Sequence, residues 1–221
     1  MYIPEHFRES RTGALHAFIR DHSFGTLVSV LDGAPFATHL PFLVDADRGP
    51  HGTLLGHMAR ANPHWHAFDR ASSAEAAASA DGSPESLVTF LGPHAYISPS
   101  WYQTPISVPT WNYATVHAYG RPRIVHDPAA VVSLLTRTVD LYESGFERPW
   151  KLEGLPADYV DKMTGNIVAF EIEITRLEGK LKLSQNRSAA DREAVRASLR
   201  RQADPTGIAV ADHMERLEAT R

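Results

Sequence analysis

"IVAFEIEITRLEG", residues 167 to 179, carries the clearest alternation in the chain. Phe170, Ile172 and Ile174 fall on one side, with Glu171, Glu173 and Thr175 on the other, the period of two that a half-buried strand requires. "KLKLS" (180–184) continues the pattern past Gly179. Such a strand needs partners, and segments upstream supply them. "FGTLVSVL" (24–31), the turn signal Asp32-Gly33 and "APFATHLPFLVD" (34–45) predict a β-hairpin. "GTLLGHM" (52–58) predicts a third strand that runs into a short helix from about Ala59 to Phe68. "SLVTFLGPHAYIS" (86–98), kinked at Gly92-Pro93, predicts a fourth. A Pro-rich loop (Pro99, Pro105, Pro109) joins it to a fifth, "WNYATVHAYGRPRIV" (111–125).

Helices fill the intervals. "SRTGALHAFIRDH" (10–22) spaces Leu15, Phe18 and Ile19 as one helical face, with Ser10 as its cap. Asp127 before Pro128 marks a helix start, and Val131, Leu135, Val139 and Tyr142 form the stripe that follows. Ser188 opens a closing helix, and Asp204-Pro205 separates it from a last helical piece at about 207–219. The Ala/Ser-rich stretch 71–84 cannot bury much and reads as a helix end or a mobile loop. Six or so mostly antiparallel strands, bounded by Gly and Pro turns, predict a mainly β fold with α additions, of barrel type. The expected layout is one domain over 1–205 and a helical tail over 206–221.

Composition narrows the function. The chain has 221 residues, 43% of them hydrophobic, enough for one substantial core. It has no cysteine, which excludes disulfides, thiolate metal sites and cysteine nucleophiles. No apolar run approaches a membrane span, and "MYIPEHFRES" does not read as a secretory signal, so a cytoplasmic location is expected. A net charge of −4 offers no global attraction to nucleic acid, so any contact with DNA must come from a local patch.

Four constellations could carry chemistry. In "LLGHMARANPHW" (54–65), His57, Met58, Arg60 and Asn62 sit where a core strand stops and a helix begins. Positive charge and free N–H groups at that junction suit a phosphate monoester; a surface arginine beside a helix capped by Asn62-Pro63 is the plainer reading. Trp101, Tyr102, Trp111 and Tyr113 flank the Pro-rich loop, as a stacking wall for a planar ligand or as core or interface. His64 and His66 form an H-x-H pair, and His39, His57, His94 and His117 lie in or near strands; on a helix, residues two apart diverge, so no metal is assigned. Arg192, Arg196 and Arg200, with Arg187 and Arg201 nearby, form a stripe that could follow a DNA backbone or simply be solvated beside Asp191 and Glu193.

Read in order, "MYIPEHF", "HLPFLVD" (39–45), "GHMARANPHW" (56–65), "GPHAYISPSWY" (92–102), "VPTWNYATVHAYG" (108–120) and "EIEITRLEGKLKLSQNR" (171–187) resemble the PaiB family, the FMN-binding negative transcriptional regulators. The resemblance implies a split β-barrel of the pyridoxamine-phosphate-oxidase type with peripheral helices, and a homodimer with FMN in a groove between subunits. It implies that His57 and Arg60 cradle the phosphate with Asn62 beside them, and that Met58 belongs to the same cofactor site. Thr38, His39, Leu40 and Pro41 would then pass under the isoalloxazine. Ser98, Trp101, Trp111 and Asn112 would come from the partner, and Lys182 and Gln185 would close the groove. Three functions stay open: a flavin-binding regulator, a flavin-dependent oxidoreductase of a small molecule, and a haem-binding split barrel with His213 as ligand. The regulator reading rests on the family alone, because the chain has no helix-turn-helix pattern. No general acid or base stands out, but flavin chemistry needs little beyond placement, so an enzyme is not excluded.

Overall fold

The alternation at 167–179 forms β8 (Ile167–Lys182). Phe170, Ile172 and Ile174 are buried, while Glu173 and Thr175 are exposed. The computed structural model describes residues 1–71 and 85–219. Its other strands are β1 (Arg8–Glu9), β2 (Phe24–Leu31), β3 (Ala34–Pro41), β4 (Leu43–Asp45), β5 (Thr53–Ala59), β6 (Ser86–Ile97) and β7 (Thr110–Ile124). The helices among the described residues are α1 (Thr12–Asp21), α2 (His66–Ala71), α3 (Pro128–Glu143), α4 (Ala157–Thr164), α5 (Ala189–Gln202) and α6 (Pro205–Ala219). The fold is mainly β with α additions, as the sequence predicts.

The strands form one sheet in the order β3-β2-β6-β7-β8-β5-β4, with β1 added to the end of β8. β2 and β3 pair antiparallel, from Phe24 opposite Pro41 to Leu31 opposite Ala34, around the Asp32-Gly33 turn. β5 pairs antiparallel with β8 from Thr53 opposite Glu173 to Ala59 opposite Ile167. β3 ends the order, so its outer backbone edge has no neighbouring strand among the described residues.

The chain divides into two compact units, and β6, β7 and β8 contribute to both. The first comprises Met1–Phe18, Phe90–His117 and the chain from Glu178 onward. Its core joins Ile97 and Leu183 to Val195 and Leu199 of α5 and to Val210, Ala211 and Met214 of α6. The helical segment after residue 205 is thus part of a packed core, where truncating Leu199 to alanine costs about 2–5 kcal/mol. Gly179 lets α1 approach β8: a Cβ there would stand 2.3 Å from Leu15 Cδ2. The second unit comprises Ile19–Thr89 and Ala118–Leu177. It buries Leu43, Leu55, Leu134 and Ala169 in one cluster. Gly120 admits β8 here, since a Cβ would lie 2.2 Å from the Glu173 carbonyl.

Several local expectations are corrected. No helix runs from Ala59: Asn62 accepts the His64 N–H at 3.0 Å, and Pro63 opens a 3-10 turn to Trp65 before α2 begins at His66. Arg60 therefore sits in a turn. α1 begins at Thr12, so Ser10 is not its cap; the Glu9 carboxylate accepts the Arg11 N–H at 2.8 Å and sets the approach instead. β6 runs unbroken through Gly92-Pro93. Residues 34–45 make two strands, because β4 turns away at Phe42 to pair Leu43 with Leu55. Leu134 is the buried residue of α3, whereas Tyr142 is exposed and its hydroxyl meets Ser23 Oγ at 2.6 Å. The start at Asp127 is as predicted, its carboxylate accepting from the Ala129 and Ala130 N–H groups. β1 and α4 were not foreseen. Residues 72–84 lie outside the described residues.

Candidate functional site

In the second unit, the turn after β5 and the edge strand β3 meet in a polar network. The backbone N–H of His64 fixes the Asn62 amide through Oδ1, which turns Nδ2 toward the Thr38 hydroxyl, to which it donates at 3.1 Å. His64 Nδ1 lies 2.7 Å from the same hydroxyl. His64 is fully buried, against the rings of Phe36 (5.1 Å) and Phe68 (5.8 Å). Burial pushes its pKa down to about 4, so the imidazole is neutral at pH 7. Its Nε2 is buried without a hydrogen-bond partner.

Arg60 stands beside this network with its guanidinium anchored. Nε donates to the Gly165 carbonyl and one Nη to the Ile167 carbonyl, both at 2.8 Å, and its own carbonyl accepts from the Trp65 indole at 3.0 Å. The side chain is exposed and lines a pocket of about 420 Å³ with Trp65, His126 and Asp161. The second Nη has no partner among the described residues. His57 is half-buried on β5 and burial lowers its pKa, while Met58 is buried in the core. On β3, Leu40 is buried and Pro41 half-buried; His39 is exposed, its Nδ1 2.9 Å from Thr26 Oγ1. Thr38, Arg60 and Asn62 are thus gathered at one end of the unit, with Leu40 and Met58 as packing beneath.

The first unit holds the other expected residues. Trp111 is 52% exposed and Tyr96 47%, their rings edge to face at 6.0 Å, with His94 6.2 Å from Trp111. Trp101 packs against the α5–α6 core. Ser98 caps the 3-10 turn Pro99–Trp101, accepting the Ser100 N–H at 3.2 Å. Asn112 is buried and donates to Ser184 Oγ at 2.9 Å. Gln185 accepts the Leu183 N–H at 2.6 Å, and Lys182 donates to Thr110 Oγ1. The Asn112 and Gln185 amides thus hold the end of β8 in shape. His213 is half-buried on α6, its ring 6.3 Å from Phe18.

The arginine stripe on α5 faces carboxylates. Arg192 pairs with Glu218 at 2.6 Å, Arg196 with Glu193 and Glu218, and Arg200 with Asp212 (2.9 Å) and Glu215 (2.7 Å). Arg187 lies over the Tyr102 ring at 4.4 Å, and Arg201 donates to Ser198 Oγ at 3.0 Å. Asp191 does more than offset this charge. It is buried and accepts from the Gln103 N–H (2.8 Å), the Thr104 N–H (3.1 Å) and the Thr104 hydroxyl (2.6 Å), which ties the Pro-rich loop to α5. Those bonds hold its carboxyl below the usual carboxylate range. Ser188-x-x-Asp191 has the pattern of a capping box, a signal the charge-based reading passed over.

A flavin mononucleotide asks for an anion partner, hydrogen-bond groups for a pyrimidine edge and a flat apolar contact. The free strand edge of β3, the Thr38 hydroxyl, the anchored Arg60 and the buried, unpartnered His64 Nε2 fit that demand. The fold has counterparts among solved structures. It matches the structure of a FAD- and haem-binding protein from Mycobacterium smegmatis with a TM-score of 0.56 at 16% identity, over 85% of this chain and 78% of that one. It also matches the flavocytochrome Anf3 from Azotobacter vinelandii, with a TM-score of 0.55 at 13% identity, over 81% of this chain and 72% of that one. The sequence model of the family described as "Putative FMN-binding domain" matches residues 1–176. The "Protease synthase and sporulation protein PAI 2" of Bacillus subtilis (strain 168) is 34% identical over 215 residues, 97% of each chain. The chain belongs to this FMN-binding family, the PaiB family, and FMN is its cofactor.

Proposed function

We propose that this protein is a cytoplasmic FMN-binding homodimer that acts as a negative transcriptional regulator of the PaiB type, reading a redox or metabolite signal through its flavin. The observation that carries this reading is the end-to-end similarity to the Bacillus subtilis sporulation protein. It covers 97% of both chains and so extends into α5 and α6, past the residues 1–176 that the flavin-binding family model matches. In this reading Arg60, Asn62 and His57 hold the phosphate, and Thr38 to Pro41 line the isoalloxazine. Ser98, Trp101 and Trp111 of a second copy cover the flavin, Lys182 and Gln185 close the site, and the buried Asn112 supports the end of β8 rather than touching the flavin. The exposed Tyr96–Trp111 pair supports the dimer, since exposed aromatic clusters mark interfaces.

DNA would be met by Arg187, Arg192, Arg196, Arg200 and Arg201. The test is fluorescence anisotropy with fragments of the source genome, with the flavin oxidised and reduced, for wild type and for Arg192, Arg196 and Arg200 changed together to glutamine. The reading expects salt-dependent binding that the triple variant loses. Absence of DNA binding in both flavin states contradicts it.

One observation favours a second reading. The stripe is compensated by Glu193, Asp212, Glu215 and Glu218 within the same unit, which leaves little net field for DNA. A flavin-dependent oxidoreductase of a small molecule needs no such field. Rapid reduction of the bound flavin by a nicotinamide cofactor, followed by turnover, would identify it.

A further inference from the structure

Lys180 and Lys182 occupy alternate positions on β8, so both side chains leave the same face of the strand. Lys180 is only 8% exposed. Its ammonium donates to the Tyr2 carbonyl at 3.1 Å and lies 5.5 Å from the Tyr2 ring and 5.2 Å from the Tyr113 ring. Lys182 is half-buried, and its ammonium donates to the Thr110 hydroxyl. Neither ammonium meets a carboxylate among the described residues. Glu178, the next residue on that face, is engaged by the Met1 ammonium at 2.6 Å.

Several arginines of the first unit differ in this respect. Arg11 sits on Glu9, and Arg192, Arg196 and Arg200 all sit on carboxylates. Two neighbouring ammonium groups taken out of water without a counter-charge repel each other and lose hydration. Burial first, and the charge of Lys180 second, push the Lys182 amine below its usual range. An anion relieves both penalties at once.

We propose that Lys180 and Lys182, with the Thr110 hydroxyl, form a binding site for a small oxyanion, a phosphate or a carboxylate. The two ammonium groups supply the charge. Thr110, accepting from Lys182, keeps its own proton to donate. The residues all belong to the first unit, and none belongs to the Arg60 turn. The oxyanion has two sources, the phosphate of the flavin or the acid group of a second small molecule.

The test is NMR of the lysine ammonium groups in the protein as purified, titrated with inorganic phosphate at constant ionic strength. Lys162, exposed on α4, is the internal reference. Saturable shifts at Lys180 and Lys182, with a rise in the Lys182 pKa, are expected. Signals that stay put, or drift no more than that of Lys162, overturn the proposal. Lys180→Met then separates the sources. If the site takes the flavin phosphate, the preference for FMN over riboflavin falls about tenfold, and phosphate competes with FMN. If it takes a second ligand, that preference is unchanged and phosphate binds the flavin-loaded protein. Should Lys180→Met not fold, phosphate titration of the wild type with and without FMN gives the same answer.

Discussion

His64 Nδ1 lies 2.7 Å from the Thr38 hydroxyl and joins the turn after β5 to the edge strand β3. Thr38 also accepts from Asn62 Nδ2, so its orientation is set from two sides before any ligand arrives. The arrangement favours the neutral imidazole, because the protonated ring would bury a charge together with an Nε2–H that has no partner. Burial ensures neutrality at pH 7, and that makes the network a source of pH dependence.

Stability is therefore expected to fall as the pH drops through the window from about 6.5 to about 4. Within that window the unfolded chain has taken up a proton that native His64 refuses, so protonation favours unfolding. For His64 alone the full loss is on the order of 3 kcal/mol. His57, lowered by burial as well, acts in the same direction. Urea unfolding at pH 7.5 and pH 5 measures this. The slope should shrink in His64→Gln, and an unchanged slope would assign the effect to other groups.

Arg60→Ala removes an arginine that two carbonyls hold in place with one Nη left over. If that Nη meets the FMN phosphate, affinity for FMN falls on the order of tenfold to a hundredfold, since such hydrogen bonds contribute roughly 1.5–3 kcal/mol. Riboflavin should bind wild type and variant alike. Arg60→Lys should recover only part of the loss, because a compact ammonium lacks the planar fork that spans both carbonyls and an anion. Equal FMN affinity in Arg60→Ala would leave the residue as an anchor for the turn after α4.

Asp191→Ala should free the Pro-rich loop, since it deletes the acceptor for Gln103 and Thr104 together. The expected result is a melting temperature lower by several degrees and faster proteolytic cleavage within residues 102–109. Asp191→Asn keeps one acceptor oxygen and should fall between. Cleavage at the wild-type rate in Asp191→Ala would show that the loop is held by other contacts.

Much of this fold was legible because its strands announce themselves one residue at a time. Phe170, Ile172 and Ile174 alternate with polar neighbours, and Asp127-Pro128 and Ser188 carry their caps within two or three residues. Of the candidate site, sequence showed a motif only: "GHMARANPHW" holds Asn62 and His64, which the structure brings together with Thr38. What local reading missed depends on distant partners. Nothing near Arg60 in sequence announces the carbonyls of Gly165 and Ile167, and nothing near Asp191 announces Thr104. Glu193 beside the arginine stripe was visible in sequence, but its other carboxylates, Asp212, Glu215 and Glu218, lie on another helix, out of reach of a local reading. Lys180 showed no sign of burial, since lysine is seldom buried and the packing around it comes from Tyr2 and Tyr113.

Trp111→Glu tests the dimer. A charge placed beside Tyr96 on an exposed aromatic patch should separate the copies, with no loss of the monomer fold. Sedimentation at micromolar concentration should give a dimer for wild type and a monomer for the variant. A folded monomeric wild type would remove the second copy from the flavin site.

The absorption spectrum of the protein as purified shows whether this chain holds FMN. The expected result is the two-band spectrum of an oxidised flavin, with FMN released on denaturation at about one per chain, or uptake of added FMN by colourless protein to the same ratio. A Soret band in place of the flavin bands would point to haem instead. A folded, colourless protein that takes up no FMN on titration would contradict the account.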